Sequence, residues 1–152
     1  MELVKLSVDD MADIKELFKS VFTREPWYDD WSDEEQLDAY LMDLIGCFNS
    51  LSLGFKDENG LQAMALGRIK HWYRATEFMI DELCVRTRLQ GQGIGGKFVE
   101  AIEEYLKANG VYGIFLLTDR NVPAYDFYKS HGFHEETTNV AFGKYLGKES
   151  EE

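Results

Sequence analysis

The chain has 152 residues, of which 45% are hydrophobic, and this suits one globular domain with a core of its own. Its 28 acidic residues outnumber 16 Lys and Arg, and the formal net charge of −12 argues against nucleic-acid binding, which needs a basic face. Charged residues interrupt the sequence near Met1, so we expect no signal peptide, no membrane partner and a cytoplasmic location. The two cysteines lie too far apart for a disulfide framework or a metal site, and no metal is expected.

The first half of the chain predicts a strand, two helices and three more strands. Residues 2–8 are strand-like, and apolar residues then recur at helical spacing from Met11 to Phe22. Ser32, with Glu35 three residues on, predicts a capping box at the start of the second helix. Asn59-Gly60 predicts a hairpin turn. The strand-like segments are 51–56, 61–73 and 77–85.

The second half predicts a helix, a strand, a helix and a hairpin. The segments are helix 93–109, central buried strand 114–118, helix 122–130, and hairpin strands 133–136 and 140–146. The element order is β-α-α-β-β-β-α-β-α-β-β, which predicts an α/β fold of the α+β type with a mixed sheet. We expect a single domain over residues 1–147, followed by a disordered acidic tail, 148–152.

Residues 88–97 form a glycine-rich run between a predicted strand and a predicted helix. Such glycines let backbone N–H groups surround an anion at a helix N-terminus, which indicates a phosphate-bearing cofactor. Gly91, Gly93 and Gly96 match the dinucleotide fingerprint, with Asp119 downstream. The context does not fit that motif, because residues 86–90 separate the strand from the glycines and an antiparallel meander precedes them.

A second pattern accounts better for this run. Gln90-x-x-Gly93-x-Gly95 follows a strand, and Asn121-Val122-Pro123-Ala124 with Phe127-Tyr128 and Gly132-Phe133 comes further on. With these motifs the chain resembles the GCN5-related N-acetyltransferase (GNAT) family. The resemblance implies a mixed sheet that opens after its fourth strand and holds acetyl-CoA in the gap.

The same resemblance implies which residues contact coenzyme A. The glycine run would hold the pyrophosphate through backbone N–H groups, the end of the fourth strand would pair with the pantetheine arm, and two residues near the last helix would complete the site. The implied contacts are Leu83, Cys84, Val85, Gln90, Gly91, Gln92, Gly93, Ile94, Gly95, Gly96, Asn121 and Tyr128.

Two residues carry the expected catalysis. The Tyr128 phenol is protonated at neutral pH and suits a general acid for the leaving thiolate. Glu82 stands where some family members keep a glutamate that deprotonates the amine, and the alternative is that it only attracts a cation. The oxyanion donor is expected to be a backbone N–H near Leu83 or Cys84.

Residues 25–43 hold eight acidic residues, no Lys or Arg, and interleaved aromatic residues. Carboxylates beside aromatic rings suit a small cationic amine such as a polyamine or an aminoglycoside. The expected acceptor-binding residues are Trp27, Tyr28, Asp29, Asp30, Trp31 and Glu82. The alternatives are a solvated acidic helix start without a ligand, a protein or peptide N-acetyltransferase, and a non-catalytic acyl-CoA-binding sensory module. The oligomeric state is open, with a homodimer as one alternative.

Overall fold

The computed structural model describes residues 1–147 and divides the chain into two compact units, Met1–Asp119 and Arg120–Glu152. We describe each unit by itself. The expected tail, residues 148–152, lies outside the described residues, and the single domain over 1–147 stays a prediction. Among the described residues, no helix combines the length and the apolar character that crossing a membrane requires.

The first unit is a five-stranded mixed sheet with three helices. Strands β1 to β4 pair antiparallel in chain order, and β5 adds parallel to β4. This confirms the predicted α/β class. The strands are β1 Glu2–Leu6, β2 Ser50–Asp57, β3 Gly60–His71, β4 Thr76–Val85 and β5 Gly113–Leu116. The helices are α1 Met11–Phe22, α2 Glu34–Ile45 and α3 Ile94–Ala108.

Helices cover both faces of this sheet. Side chains alternate along β3, so Met64 and Leu66 pack with α1 and α2, whereas Ala63 and Ala65 pack with α3. Ile14, Leu17 and Leu41 are fully buried on one face. Phe98 and Ile102 are buried on the other face. The sheet is therefore the middle of three layers, and its strand ends determine where a site can form.

The start of α2 differs from its prediction by one residue. The N-cap is Asp33, whose carboxylate accepts from the Gln36 N–H at 3.1 Å, so the predicted capping box of Ser32 with Glu35 is wrong. The Ser32 N–H instead donates to Asp30. Asp is as good an N-cap as Ser, and spacing alone did not separate the two.

Two strand predictions in the second half need correction. β5 is the last strand in the sheet order and its residues are half-buried, so it is not the central buried strand that its apolar run predicted. The second unit contains α4, Pro123–Ser130, but residues 133–147 contain no strand where the hairpin was predicted. Phe142 and Tyr145 are exposed there. A two-stranded ribbon is marginal by itself, and alternating apolar residues do not reveal whether a partner edge exists.

Candidate active site

A β-bulge in β4 turns Glu82 toward the α1 and α2 face. Leu66 of β3 pairs with Glu82, but the next residue, Gly67, pairs with Ile80, so Asp81 is an extra residue in β4. Ile80 packs on the α3 side, and beyond the bulge Leu83 also packs there while Cys84 packs with α1 and α2. Glu82 is thus directed at α2, where it meets Tyr40.

Gly67 makes this bulge possible. A Cβ at Gly67 would lie 2.1 Å from the Met79 carbonyl oxygen, so no side chain fits there. A lone glycine inside a strand is a signal for a bulge or a close backbone approach, and the sequence analysis overlooked it.

The sheet opens beside the second half of β4. In the part of the chain that the structure describes, β5 pairs with β4 over Glu77–Ile80, and β5 ends at Leu116. Residues 81–85 of β4 therefore have no β5 partner. The Val85 carbonyl accepts from the Gln90 side chain at 2.9 Å, and the backbone groups of residues 81–84 on that side are available to an extended ligand. The predicted opening after the fourth strand is present.

The glycine run forms a turn at the N-terminus of α3. Gly91 and Gly93 have φ angles of +78° and +81°, and a Cβ at either position would meet nothing within 4 Å. Gly93 is the N-cap of α3, and the first turn of the helix contains no acidic residue. The N–H groups of Ile94, Gly95 and Gly96 have no acceptor within the helix. This geometry suits an anion.

A polar network around the buried Gln62 side chain holds the segment that precedes this turn. The Arg86 guanidinium makes a bidentate pair with Glu16 at 2.8 and 2.9 Å and also donates to the Leu61 carbonyl. The Gln62 side chain, 1% exposed, accepts from Arg86 and Arg88. The same Arg86 lowers the pKa of Glu16. Sequence analysis missed Arg86 and Gln62, because nothing in their spacing links them to α1.

Glu82 is partly buried and has acidic neighbours. Its Oε2 accepts a hydrogen bond of 2.5 Å from the Tyr40 hydroxyl. Burial raises the pKa of Glu82 above its ordinary value, and the charges of Asp29 and Asp81 raise it further, whereas the hydrogen bond from Tyr40 opposes both. A carboxyl with a raised pKa in an open cleft is a candidate general base.

Further carboxylates extend this acidic setting. Burial raises the pKa of Asp29, and the charge of Asp119 at the end of the first unit adds to the shift. Asp81 is paired with Arg68 at 3.1 Å, whereas no cationic side chain among residues 1–147 forms an ion pair with Asp29, Glu82 or Asp119. Asp30 lies apart from this effect, since hydrogen bonds from Ser32 lower its pKa. Asp119 entered the sequence analysis only as part of the dinucleotide motif.

The aromatic residues of the α1–α2 connection differ in exposure. Trp27 packs on Phe22 at 5.7 Å, and Trp31 stacks on Tyr40 at 5.2 Å, so both rings extend the core. Tyr28 is 68% exposed and has a φ of +50°. Of the three predicted aromatic contacts, Tyr28 therefore presents its ring to solvent.

Cys84 is a buried structural thiol. It is 5% exposed, and burial raises its pKa, so the thiol stays protonated at neutral pH. Its side chain packs with α1 and α2, so any contact of Cys84 with coenzyme A would involve its backbone. Within residues 1–147, no three or more His, Cys, Asp or Glu side chains are grouped to hold a metal ion.

Tyr128 and Asn121 belong to the second unit. Tyr128 lies on α4 and is half-buried, and its ring packs edge-on against Phe127 and Phe133. Asn121 is exposed just before α4. Gly132 has a φ of +90° and follows the helix.

Comparisons with known proteins identify the family of this fold. The model of the acetyltransferase (GNAT) family matches residues 11–133. The chain therefore belongs to the GNAT acetyltransferase family, and the resemblance inferred from its two motifs is confirmed.

Solved structures are similar over almost the whole chain. An aminoglycoside acetyltransferase from an uncultured soil metagenomic sample, in complex with sisomicin, is 25% identical with a TM-score of 0.71, covering 97% of this chain and 96% of that one. A second aminoglycoside acetyltransferase from such a sample is 21% identical with a TM-score of 0.70, covering 96% and 98%. An integron cassette protein from the mobile metagenome of V. cholerae shares the fold at 15% identity and a TM-score of 0.77, covering 96% and 92%. No curated protein matches the chain.

Proposed function

We propose that this acetyltransferase moves the acetyl group of acetyl-CoA to a primary amine of a small cationic acceptor that resembles a polyamine or an aminoglycoside. One observation carries the proposal. The unpaired half of β4 is followed, after residues 86–90, by the glycine turn, and a partly buried, hydrogen-bonded Glu82 lies on that same half.

The residues of the first unit fit coenzyme A. Gly91 and Gly93 leave open space where a side chain would block a phosphate, and the first turn of α3 offers N–H groups without a competing carboxylate. Residues Gln90 to Gly96 would bind the pyrophosphate, and the backbone of Leu83, Cys84 and Val85 would pair with the pantetheine arm. The family resemblance implies that Asn121 contacts coenzyme A as well. When bound, acetyl-CoA supplies a thioester-activated acetyl group and a thiolate leaving group.

The chain supplies three groups for the transfer. Glu82 accepts the proton of the acceptor ammonium, whose ordinary pKa of about 10.4 otherwise keeps it unreactive. A backbone N–H near Leu83 or Cys84 donates to the carbonyl oxygen as that oxygen gains charge. The Tyr128 hydroxyl holds a proton for the departing thiol.

Unpaired carboxylates support a cationic acceptor. The charge of Asp29 raises the pKa of Glu82, and the charge of Asp119 raises the pKa of Asp29, so a bound polycation would relieve this repulsion. Tyr28 and Asp30 would meet the acceptor at the rim, with Trp27 and Trp31 behind them. That an acetyltransferase with 25% identity was crystallised with sisomicin supports the same class of acceptor.

Thiol release from acetyl-CoA tests the proposal. The protein is incubated with acetyl-CoA and, separately, with polyamines, aminoglycosides and basic peptides. We expect release with a small polyamine or an aminoglycoside. Release with peptides alone would indicate a protein or peptide N-acetyltransferase, and release with none would favour the sensory module.

The role of Tyr128 has a separate test. Tyr128→Phe should lower turnover about a hundredfold, because it removes the proton donor, and should leave coenzyme A affinity nearly unchanged. The matched control is Tyr112→Phe, since Tyr112 is 73% exposed on the first unit. Equal turnover in Tyr128→Phe and wild type would exclude the acid role.

A further inference from the structure

We propose that Tyr40 is a positioning residue that holds the Glu82 carboxylate in one orientation on the open half of β4. The inference rests on the proposed function, in which Glu82 is the base. It concerns one of the aromatic residues of segment 25–43 that the sequence analysis did not place among the acceptor-binding or catalytic residues.

The geometry fixes the Tyr40 hydroxyl. Tyr40 lies on α2 and Glu82 on β4, and the hydroxyl donates to Glu82 Oε2 at 2.5 Å. The Tyr40 ring stacks on Trp31 at 5.2 Å with an interplanar angle of 16°, and Phe18 meets it edge-on at 6.1 Å. Phe18 is 1% exposed and belongs to the core. The packing between α1 and α2 therefore determines the position of the hydroxyl.

Trp31 holds the Tyr40 ring by stacking, and its indole N–H makes no hydrogen bond within the described residues. Its indole Nε1 is buried and has no hydrogen-bond partner within residues 1–147. Burying an N–H without a partner is unfavourable, so the ring position is set by stacking and not by hydrogen bonding.

The hydrogen bond divides the two oxygens of Glu82 between two tasks. Burial and the Glu82 charge raise the pKa of Tyr40, so its hydroxyl stays protonated and can only act as the donor to Oε2. Among residues 1–147, no side chain donates to Oε1. Oε1 is thus the oxygen left to receive a proton from the amine, directly or through a water molecule.

The groups around Glu82 determine how this hydrogen bond affects the pKa of Glu82. From the strand itself Asp81, paired with Arg68, faces Glu82, and Asp29 faces it from the α1–α2 connection. The charge of Glu82 also raises the pKa of the Cys84 thiol, whereas the charge of Arg86 lowers it. Burial and the acidic neighbours favour protonation of Glu82, whereas the Tyr40 hydrogen bond favours the carboxylate. Loss of the hydroxyl should therefore raise the pKa of Glu82.

Carbon-detected NMR titration of Glu side chains tests this without any activity measurement. Glu82 is assigned with Glu82→Gln, and its pKa is compared in wild type, Tyr40→Phe and the control Tyr105→Phe, which removes a hydroxyl from the inner side of α3. We expect a higher pKa in Tyr40→Phe and no change in Tyr105→Phe. An unchanged pKa in Tyr40→Phe would overturn the proposal.

A second readout uses the wild-type protein, in case Tyr40→Phe does not fold. The ¹³Cζ shift of Tyr40 should follow the titration of Glu82, because the two groups share a hydrogen bond, whereas that of Tyr105 should not. A Tyr40 signal that is flat over the Glu82 titration would also overturn the proposal.

The pH profile of kcat/KM connects the bond to activity. In Tyr40→Phe the acidic limb should move to higher pH, with a loss of about tenfold at neutral pH that recovers as pH rises, and with the KM for the acceptor little changed. A parallel loss at every pH would indicate a structural role only and overturn the positioning role. If the wild type transfers no acetyl group, the proposed function fails, but the titration still decides whether Tyr40 controls Glu82.

Discussion

Glu82 is held in a place that disfavours its charge. Its carboxyl is largely buried, two acidic neighbours raise its pKa, and Tyr40 is the side chain that opposes them. Such a group destabilises the folded chain when it is ionised, and that cost is expected at a site kept for function. If Glu82 is the proposed base, a substitution there should change stability and catalysis in opposite directions.

Glu82→Gln should separate these two effects. We expect turnover to fall about a hundredfold or more, because the base is lost, while the protein becomes more stable at neutral pH. The pKa of Glu82 is raised in the folded state, so wild type and variant should be equally stable below pH of about 4.5, where the carboxyl is protonated in both states. As pH rises past that value the wild type should lose stability relative to Glu82→Gln, until the pH exceeds the folded pKa.

Thermal unfolding between acid and neutral pH measures this difference. The control is Glu77→Gln on the same strand, at the end that pairs with β5. A wild type that is more stable than Glu82→Gln at neutral pH would contradict the raised pKa.

At the scale of single elements, the left-handed glycine before α3 is the position at which we expect the backbone to contact coenzyme A. Gly93 and Gly110 bound the same helix, and both have positive φ, +81° and +76°, with open space around them. They differ in the end of the helix that they occupy, so one is expected to contact an anion and the other is not.

Gly93→Val and Gly110→Val should carry similar backbone strain, about 1–2 kcal/mol or more, because left-handed φ disfavours a side chain. Gly93→Val alone should weaken coenzyme A binding, by about tenfold to a hundredfold, since it obstructs amide contacts to the pyrophosphate. Calorimetric titration with coenzyme A measures the affinity of each variant. Equal affinities in the two variants would refute the placement of the pyrophosphate.

The bulge in β4 predicts a different outcome at Gly67. Gly67→Ala should destabilise the protein by about 1–3 kcal/mol, because its Cβ would overlap the Met79 carbonyl, and should also lower activity by shifting Glu82. Gly143→Ala, where a Cβ meets nothing within 4 Å, should change stability by no more than about 0.5 kcal/mol. Denaturant unfolding compares them, and a neutral Gly67→Ala would mean that the bulge is not constrained there.

At the scale of the whole molecule, the net charge of −12 acts on the two proposed substrates in opposite ways. It attracts a cationic acceptor and repels anionic coenzyme A, which must then rely on the local N–H groups of the glycine turn. The acceptor should thus be the more sensitive of the two to salt.

We expect kcat/KM for a polyamine to fall about tenfold as ionic strength rises from low values to about 0.5 M, because added salt screens exposed charges. A monoamine of similar size should show a smaller loss. Initial rates at saturating acetyl-CoA test this, and equal salt dependence of the two amines would argue against the acidic surface as an acceptor site.

The sequence by itself determined the family, the positions of the long helices and the glycine turn before α3. The two motifs identified a GNAT acetyltransferase, and the helical spacing over Met11–Phe22 and Ile94–Ala108 matched the observed elements closely. These features are local: glycine spacing decides where backbone N–H groups can gather, and side-chain periodicity decides which face of a helix is buried. The role of each predicted site residue stays a prediction.

Only the tertiary structure decided which distant residues meet. The hydrogen bond between Tyr40 and Glu82 joins residues 42 positions apart, and the pair of Arg86 with Glu16 joins residues 70 apart. Strand pairing likewise decided that β5 lies at the edge and that residues 133–147 form no hairpin. Such contacts depend on a one-residue bulge and on which edges find partners, and neither property is encoded in the periodicity of a single segment.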